Sequence, residues 1–505
     1  MPPEPEGYTR GVGSPEPATY LVSSQLFRRL VGLCYLAAFV SLWVQVDGLI
    51  GSSGVLPVQQ FLEAVRRQTG ATPVALLPTL CWLGAGDGAL HLWCGMGVLA
   101  AAAVVADVAP ALGLGLCWVL YLSLSVAGQV FLEFQWDSLL LETGLIALWL
   151  APLSAWPRRS PAAPPALARW LWRWLLFRFM FSSGVVKLAS GDPTWRNLTA
   201  LRYHYETQPL PTWTAWWLHQ SPPSFQTISC LVMFAVELLV PFFVFGPRRL
   251  RLVAFWAFTG LQASIVASGN YAFFNLLAFA LALPLLPDAA FPERLRRLLS
   301  PAGAAPASPR LVWPNAVLVP VAALTFFVSG VLMANLLLSP SGWPGPVVSL
   351  VRAVSPFRSV NGYGLFAVMT TERPEIVVEG SDDGEVWKAY EFRWKPGDLG
   401  HRPRFVAPHQ PRLDWQMWFA ALGSYDQNPW FVALCARLLQ GSRPVTALLA
   451  KNPFPDKPPR YLRAVLYDYH FTNRSERRAT GDWWRRQERG PYLPVISKDM
   501  LREER

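Results

Sequence analysis

The stretch FRFMFSSGVVKLASGDPTW, residues 177–195, is an apolar run that carries two cations, Arg178 and Lys187. A soluble core rarely buries such charges, and a lipid interior holds them only where they pair or reach an interface. The question is which solvent this chain folds in, and composition answers it. Of 505 residues, 52% are hydrophobic and 15% charged, where a soluble domain carries about 25% charged residues. A spanning helix needs about 20 mostly apolar residues to cross about 30 Å of hydrocarbon. Such runs recur at 26–46, 88–106, 111–130, 134–151, 170–189, 226–245, 252–268, 272–286 and 317–338. The expected fold class is a polytopic α-helical membrane protein of about nine spans or fewer, followed by a C-terminal soluble α+β domain. The fourth and eighth runs are short or polar enough to be re-entrant or interfacial segments instead.

Lys and Arg number 44 against 33 Asp and Glu, but this excess lies largely in short loops and does not signal nucleic acid. With the N-terminus cytoplasmic, the inner side holds Arg28, Arg29, Arg158, Arg159, Arg169, Arg248, Arg249, Arg251, Arg294, Arg296, Arg297 and Arg310. The outer loops before residue 339 hold mainly Arg66, Arg67, Arg196 and Arg202. That asymmetry follows the positive-inside rule, and an odd number of spans then puts residues 339–505 on the far side. Two glycosylation sequons, at Asn197 and Asn473, fall on that same side. The expected organisation is a disordered tail at 1–25, a multi-pass membrane domain at 26–338 and an outer α+β domain at 339–505. No cleavable signal peptide is apparent ahead of the first apolar run.

Cys34, Cys94, Cys117 and Cys230 sit in the apolar runs, Cys81 just before one and Cys435 in the outer region, so no disulfide framework is expected. No metal or cofactor is expected either: the six histidines share no ligand spacing, and Walker, HExxH and GxSxG motifs are absent.

The outer loop 190–225 concentrates Trp195, Tyr203, Tyr205, Trp213, Trp216 and Trp217 among polar residues. It reads as an interfacial aromatic belt, or else as an aromatic-walled surface for an apolar ligand or client. After residue 338 the composition turns charged. RPEIVVEGSDDGEVWKAYEFRWKPG alternates about Asp382-Asp383-Gly384 as a hairpin, DWQMWFAALG and PWFVALCARLLQG have helical spacing, and RYLRAVLYDYHFT alternates again as a strand.

Residue counting puts Lys187 near the outer interface, where it snorkels, and Arg178 near mid-depth with Glu142 and Glu237. An isolated charge there costs about 2.5–3.5 kcal/mol. Arg178 is therefore expected to pair with Glu142, Glu237 or both, either to fix helix packing or to serve chemistry.

QWDSLLLETG, FMFSSGVVKL, PTWRNLTALRYHYETQPLPTW, NGYGLFAVMTTERPEIVVEGS, YEFRWKPGD and PRLDWQMWFAALG occur in the order in which they stand in the lipase maturation factor family, which the chain resembles from about residue 25 to 469. The resemblance implies a polytopic endoplasmic reticulum membrane protein, or one of the cytoplasmic membrane in a bacterium. It also implies that the protein helps secreted dimeric lipases fold and assemble, its outer domain engaging the client. Candidate client contacts are Asp414, Trp415, Trp418 and Phe419, the three rings sharing a helical face that otherwise reads as core. Gly362 and Gly364 are candidates for backbone conformations closed to other residues. A second likeness, of FSSGVVKLASGDPTW to a motif of the vitamin K-dependent carboxylase superfamily, implies the alternative of an embedded enzyme with Lys187 as base.

Overall fold

The computed structural model describes residues 19–70, 73–156, 163–299, 312–338 and 342–500. Residues 1–18 of the expected tail, and Arg158, Arg159 and Arg310, lie outside the described residues.

Apolar helices stand at every expected run: α1 (Leu21–Trp43), α2 (Asp87–Ala106), α3 (Pro110–Ala127), α4 (Gln135–Leu150), α5 (Ala166–Ala189), α6 (Pro223–Leu238), α7 (Arg248–Ser268), α8 (Phe274–Ala282) and α9 (Asn315–Leu338). Among the described residues, six of them are long and apolar enough to cross a membrane: α1, α2, α3, α6 with its extension to Phe245, α7 and α9. The other three differ for identifiable reasons. α4 has 16 residues and carries Asp137 and Glu142, and α5 carries Arg169, Arg173, Arg178 and Lys187. α8 has only 9 residues. Its Phe274, Leu277, Ala278 and Leu281 are buried by the surrounding helices, so it needs no span's length. The protein is multi-pass.

α1 begins earlier than expected. The Asp288 carboxylate accepts hydrogen bonds from the free N–H groups of Leu21 (2.8 Å), Val22 (3.0 Å) and Ser23 (3.3 Å). An anion there satisfies the helix's orphan donors and its dipole, which extends helix into residues 21–25 of the expected tail.

The rest of the chain gathers at one end of the bundle. There Gln410 N–H donates to Ser41 Oγ (2.8 Å), Arg437 Nε to the Gly54 carbonyl (2.8 Å) and Asn270 Nδ2 to the Arg404 carbonyl (2.7 Å). A short helix after α9, α10 (Gly345–Val354), buries no residue. A four-stranded antiparallel sheet follows in the order β2-β1-β5-β6, built of β1 (Pro374–Ser381), β2 (Lys388–Ala389), β5 (Tyr461–Phe471) and β6 (Trp484–Ser497). A second, two-stranded sheet pairs β3 (Glu391–Phe392) with β4 (Leu449–Lys451). The β1/β2 hairpin turns at Gly384, whose φ of 82° is open to glycine at little cost. Helices α11 (Arg412–Ala421) and α12 (Pro429–Leu439) pack beside the sheets. One buried cluster holds Phe39 and Phe274 of the bundle together with Trp415, Phe431 and Leu462 of the outer region. The two parts therefore share a single core.

Candidate functional site

Arg178 and Glu142 meet between α5 and α4, at 2% and 0% side-chain exposure, in a direct ion pair. Two buried charges need hydrogen-bond partners beyond each other, and the outer region supplies several, although Arg178 Nε is left without one. The Asn361 carbonyl accepts from Arg178 Nη1 (3.0 Å). Glu142 Oε2 accepts from the Asn361 N–H (2.8 Å), Asn361 Nδ2 (3.2 Å) and the Tyr363 hydroxyl (2.6 Å). Segment 358–364 thus enters the bundle as a plug. Arg358 Nη1 ties its start to the Leu132 carbonyl (2.9 Å). At its end Gly364, with φ of 157°, lies so close to α5 that an added Cβ would stand 2.6 Å from Val186 Cγ1. Gly362, by contrast, has open space about its Cβ position and no positive φ.

A second latch lies at the start of α4. Arg412, at the start of α11, grips Asp137 with both guanidinium arms (3.0 and 2.9 Å) and donates to the Phe131 carbonyl (2.7 Å). Both side chains are fully buried. A third fastens β1: Arg373 pairs with Glu375 (2.7 Å) and donates to the carbonyls of Glu206 (2.7 Å), Gln208 and Pro209 (2.9 Å). Burial pulls the Arg373 pKa down, and Glu375 opposes that pull. Sequence reasoning missed Asp137, Arg412 and Arg373. A signal was present, since each stands in one of the motifs that carried the family resemblance.

The expected client contacts turn out to face inward. Asp414, Trp415 and Trp418 are buried, and only Phe419 is exposed, at 43%. Trp415 packs edge-on against Trp136 with ring centroids 4.6 Å apart, and Trp418 Nε1 donates to the Thr207 carbonyl (2.8 Å). Asp414 accepts the N–H groups of Trp394 (2.8 Å) and Lys395 (3.0 Å), while burial pushes its carboxyl up to about 6. This helix face seats the outer region on the bundle. The aromatic loop is mixed: Trp195, Tyr205 and Trp216 are buried, whereas Tyr203 and Trp217 are exposed.

Lys187 differs from the snorkelling position expected of it. Its ammonium is 2.7 and 3.0 Å from the two Glu237 oxygens and 2.8 Å from the Ser183 carbonyl, and both side chains are under a tenth exposed. Glu237 lies about 21 Å along α6 from its first residue at 1.5 Å per residue, so the end of α5 sits deeper than counting suggested. Glu237 therefore belongs to Lys187, and Arg178 has Glu142 alone. This second pair lines a cavity of about 820 Å³ between α5, α6 and α7, with Trp195, His204 and Tyr271 at its outer end.

Asn197 and Asn473 are both exposed, and Asn473 also caps a short helix by accepting the Ser475 (2.9 Å) and Glu476 (2.9 Å) N–H groups. Among the described residues no group of three His, Cys, Asp or Glu side chains is placed to hold a metal, and the cysteines there are free and buried.

Comparison with known proteins finds two matching family descriptions. The family description "lipase maturation factor transmembrane domain" matches residues 22–293, and "lipase maturation factor C-terminal domain" matches residues 359–494. Lipase maturation factor 2 of Gallus gallus is 38% identical over 94% of this chain and 81% of its own length. The Homo sapiens protein of that name is 36% identical over 94% and 82%. Lipase maturation factor 1 of Bos taurus is 35% identical over 96% and 90%. No solved structure matches the chain.

Proposed function

The chain belongs to the lipase maturation factor family, and from that premise we propose that it is a membrane-bound maturation factor assisting the folding and dimer assembly of secreted lipases in the secretory pathway. On this reading it resides in the endoplasmic reticulum membrane with its N-terminus cytoplasmic. Residues 26–338 are the membrane domain, and residues 339–505 face the lumen and meet the client. Glycans on the exposed Asn197 and Asn473 fit the same orientation.

The observation that carries the reading is the set of latches. A chaperone tethered by a floppy linker would present its client surface anywhere, but here Asn361, Tyr363 and Arg412 lock the outer region onto buried acids of α4. The client surface then stands at a fixed height above the bilayer. With Asp414, Trp415 and Trp418 spent on that docking, the exposed candidates are Phe419, Tyr203 and Trp217.

Against a base role for Lys187 stands its geometry. Two carboxylate oxygens and one carbonyl already surround the Lys187 nitrogen within hydrogen-bond distance, so it is engaged by the protein itself. The test is co-expression of a secreted dimeric lipase with the full chain in cells lacking their own maturation factor, recording secreted lipase mass and activity separately. Restored dimer and activity support the proposal; none, with the chain inserted and abundant, defeats it.

A further inference from the structure

The cavity between α5, α6 and α7 has no part in the latches. Its volume of about 820 Å³ lies in the roughly 300–1,000 Å³ range of small-molecule sites. Its walls are mainly apolar, with Phe179, Met233, Leu261 and Phe274 among them. Its rim is the informative part. Ile228 and Val232 on α6 and Trp256 on α7 are 58%, 56% and 68% exposed, and both helices are long and apolar enough to cross a membrane. The mouth therefore opens sideways into hydrocarbon, and an occupant arrives from the bilayer rather than from water.

The polar end of the cavity sets the class of occupant. Lys187 and Glu237 neutralise each other there, so an anionic head would meet the Glu237 carboxylate and a cationic head the Lys187 ammonium. Other polar groups are partly spent: Ser183 Oγ donates to the Phe179 carbonyl (2.8 Å) and the Tyr271 hydroxyl to Gln208 Oε1 (2.9 Å). His204 is not. Its Nε2 lies 3.2 Å from the Tyr271 hydroxyl while its Nδ1 is buried without a hydrogen-bond partner. Burial, and then the Lys187 charge, bring the His204 pKa down to about 4, so at neutral pH it is an uncharged imidazole with one unused nitrogen. We propose that this cavity binds an uncharged long-chain lipid with a hydroxyl-bearing head, of the monoacylglycerol class, its tail between α6 and α7 and its head at His204.

The test uses the full chain in phosphatidylcholine nanodiscs with a diazirine-tailed monoacylglycerol, mapping labelled peptides after irradiation. Labelling should concentrate on residues 225–236 and 256–268 and be displaced by unlabelled monoacylglycerol more readily than by palmitate. A Cβ at Gly260, which lines the cavity, meets no atom within 4 Å. Gly260→Phe should therefore enter the space with its Cβ unobstructed and lower labelling about tenfold, a change of about 1.4 kcal/mol. Leu99→Phe, on the 72% exposed face of α2, should leave labelling unchanged. Labelling spread evenly over α2, α6 and α7, or displaced best by palmitate, overturns the proposal. If Gly260→Phe does not fold, the competition on the unaltered chain decides alone.

Discussion

Arg178 and Lys187 stand on one helix and face the same problem, a cation away from water, and the protein solves it in two ways. Arg178 and Glu142 are closed over by segment 358–364, whose groups complete the carboxylate's hydrogen bonds. Lys187 and Glu237 close on each other and border open space. The first pair is a joint between two regions of the chain; the second is the neutral end of a chamber. Burial alone would make them equivalent, and what separates them is which third element reaches each.

The largest effect should come from Glu142→Ala, which strands Arg178, Asn361 and Tyr363 together. Breaking a buried pair costs about 3–5 kcal/mol, and thermal unfolding in detergent should show it. Lys187→Met or Glu237→Leu alone should also destabilise, by about 3 kcal/mol, whereas the two together should recover most of that loss. The double change Arg178→Met with Glu142→Leu should recover less, because Asn361 and Tyr363 still lose their acceptor. Equal recovery in both double variants would erase the distinction between joint and chamber.

Gly364→Ala should cost about 1–3 kcal/mol through its approach to Val186, against at most about 0.5 kcal/mol for Gly362→Ala. Asp414 tests the docking by pH. Its folded carboxyl is pushed up from 3.8 to about 6, so the folded state holds the proton more tightly than the unfolded chain. The stability this adds is full below the unfolded value and is lost as pH rises through about 6. Asp414→Asn, which keeps an acceptor for Trp394 and Lys395, should flatten the unfolding profile across that window. The smallest effect is expected of Lys187→Arg, which keeps the cation and should leave lipase maturation intact.

Sequence reading located the helices because twenty-residue apolar runs are a strong signal, and it placed the β1/β2 hairpin from alternation and a glycine turn. It missed β6, the 14 residues WRRQERGPYLPVIS, because most of the strand's side chains are exposed and it lacks an apolar alternation. Counting residues along α5 gave approximate depth but not direction, which is why Glu237 was offered to Arg178. Asn361 and Tyr363 were beyond reach for another reason. Their partner Glu142 lies over 200 residues away, and no local pattern marks a loop that plugs a helical bundle. The aromatic stripe of α11 reads as core before it reads as client surface, and the packing on Trp136 and Thr207 bears out the core.

The Arg178 pair joins the two regions of the chain, and the Lys187 pair does not. Hydrogen exchange of the peptide spanning residues 358–366 tests it most directly, comparing the unaltered chain with Glu142→Gln and Glu237→Gln. The Asn361 N–H donates to Glu142 at 2.8 Å, so exchange in this peptide should rise sharply in Glu142→Gln and stay unchanged in Glu237→Gln. Equal protection in all three proteins, or a rise in Glu237→Gln as large as that in Glu142→Gln, would contradict it.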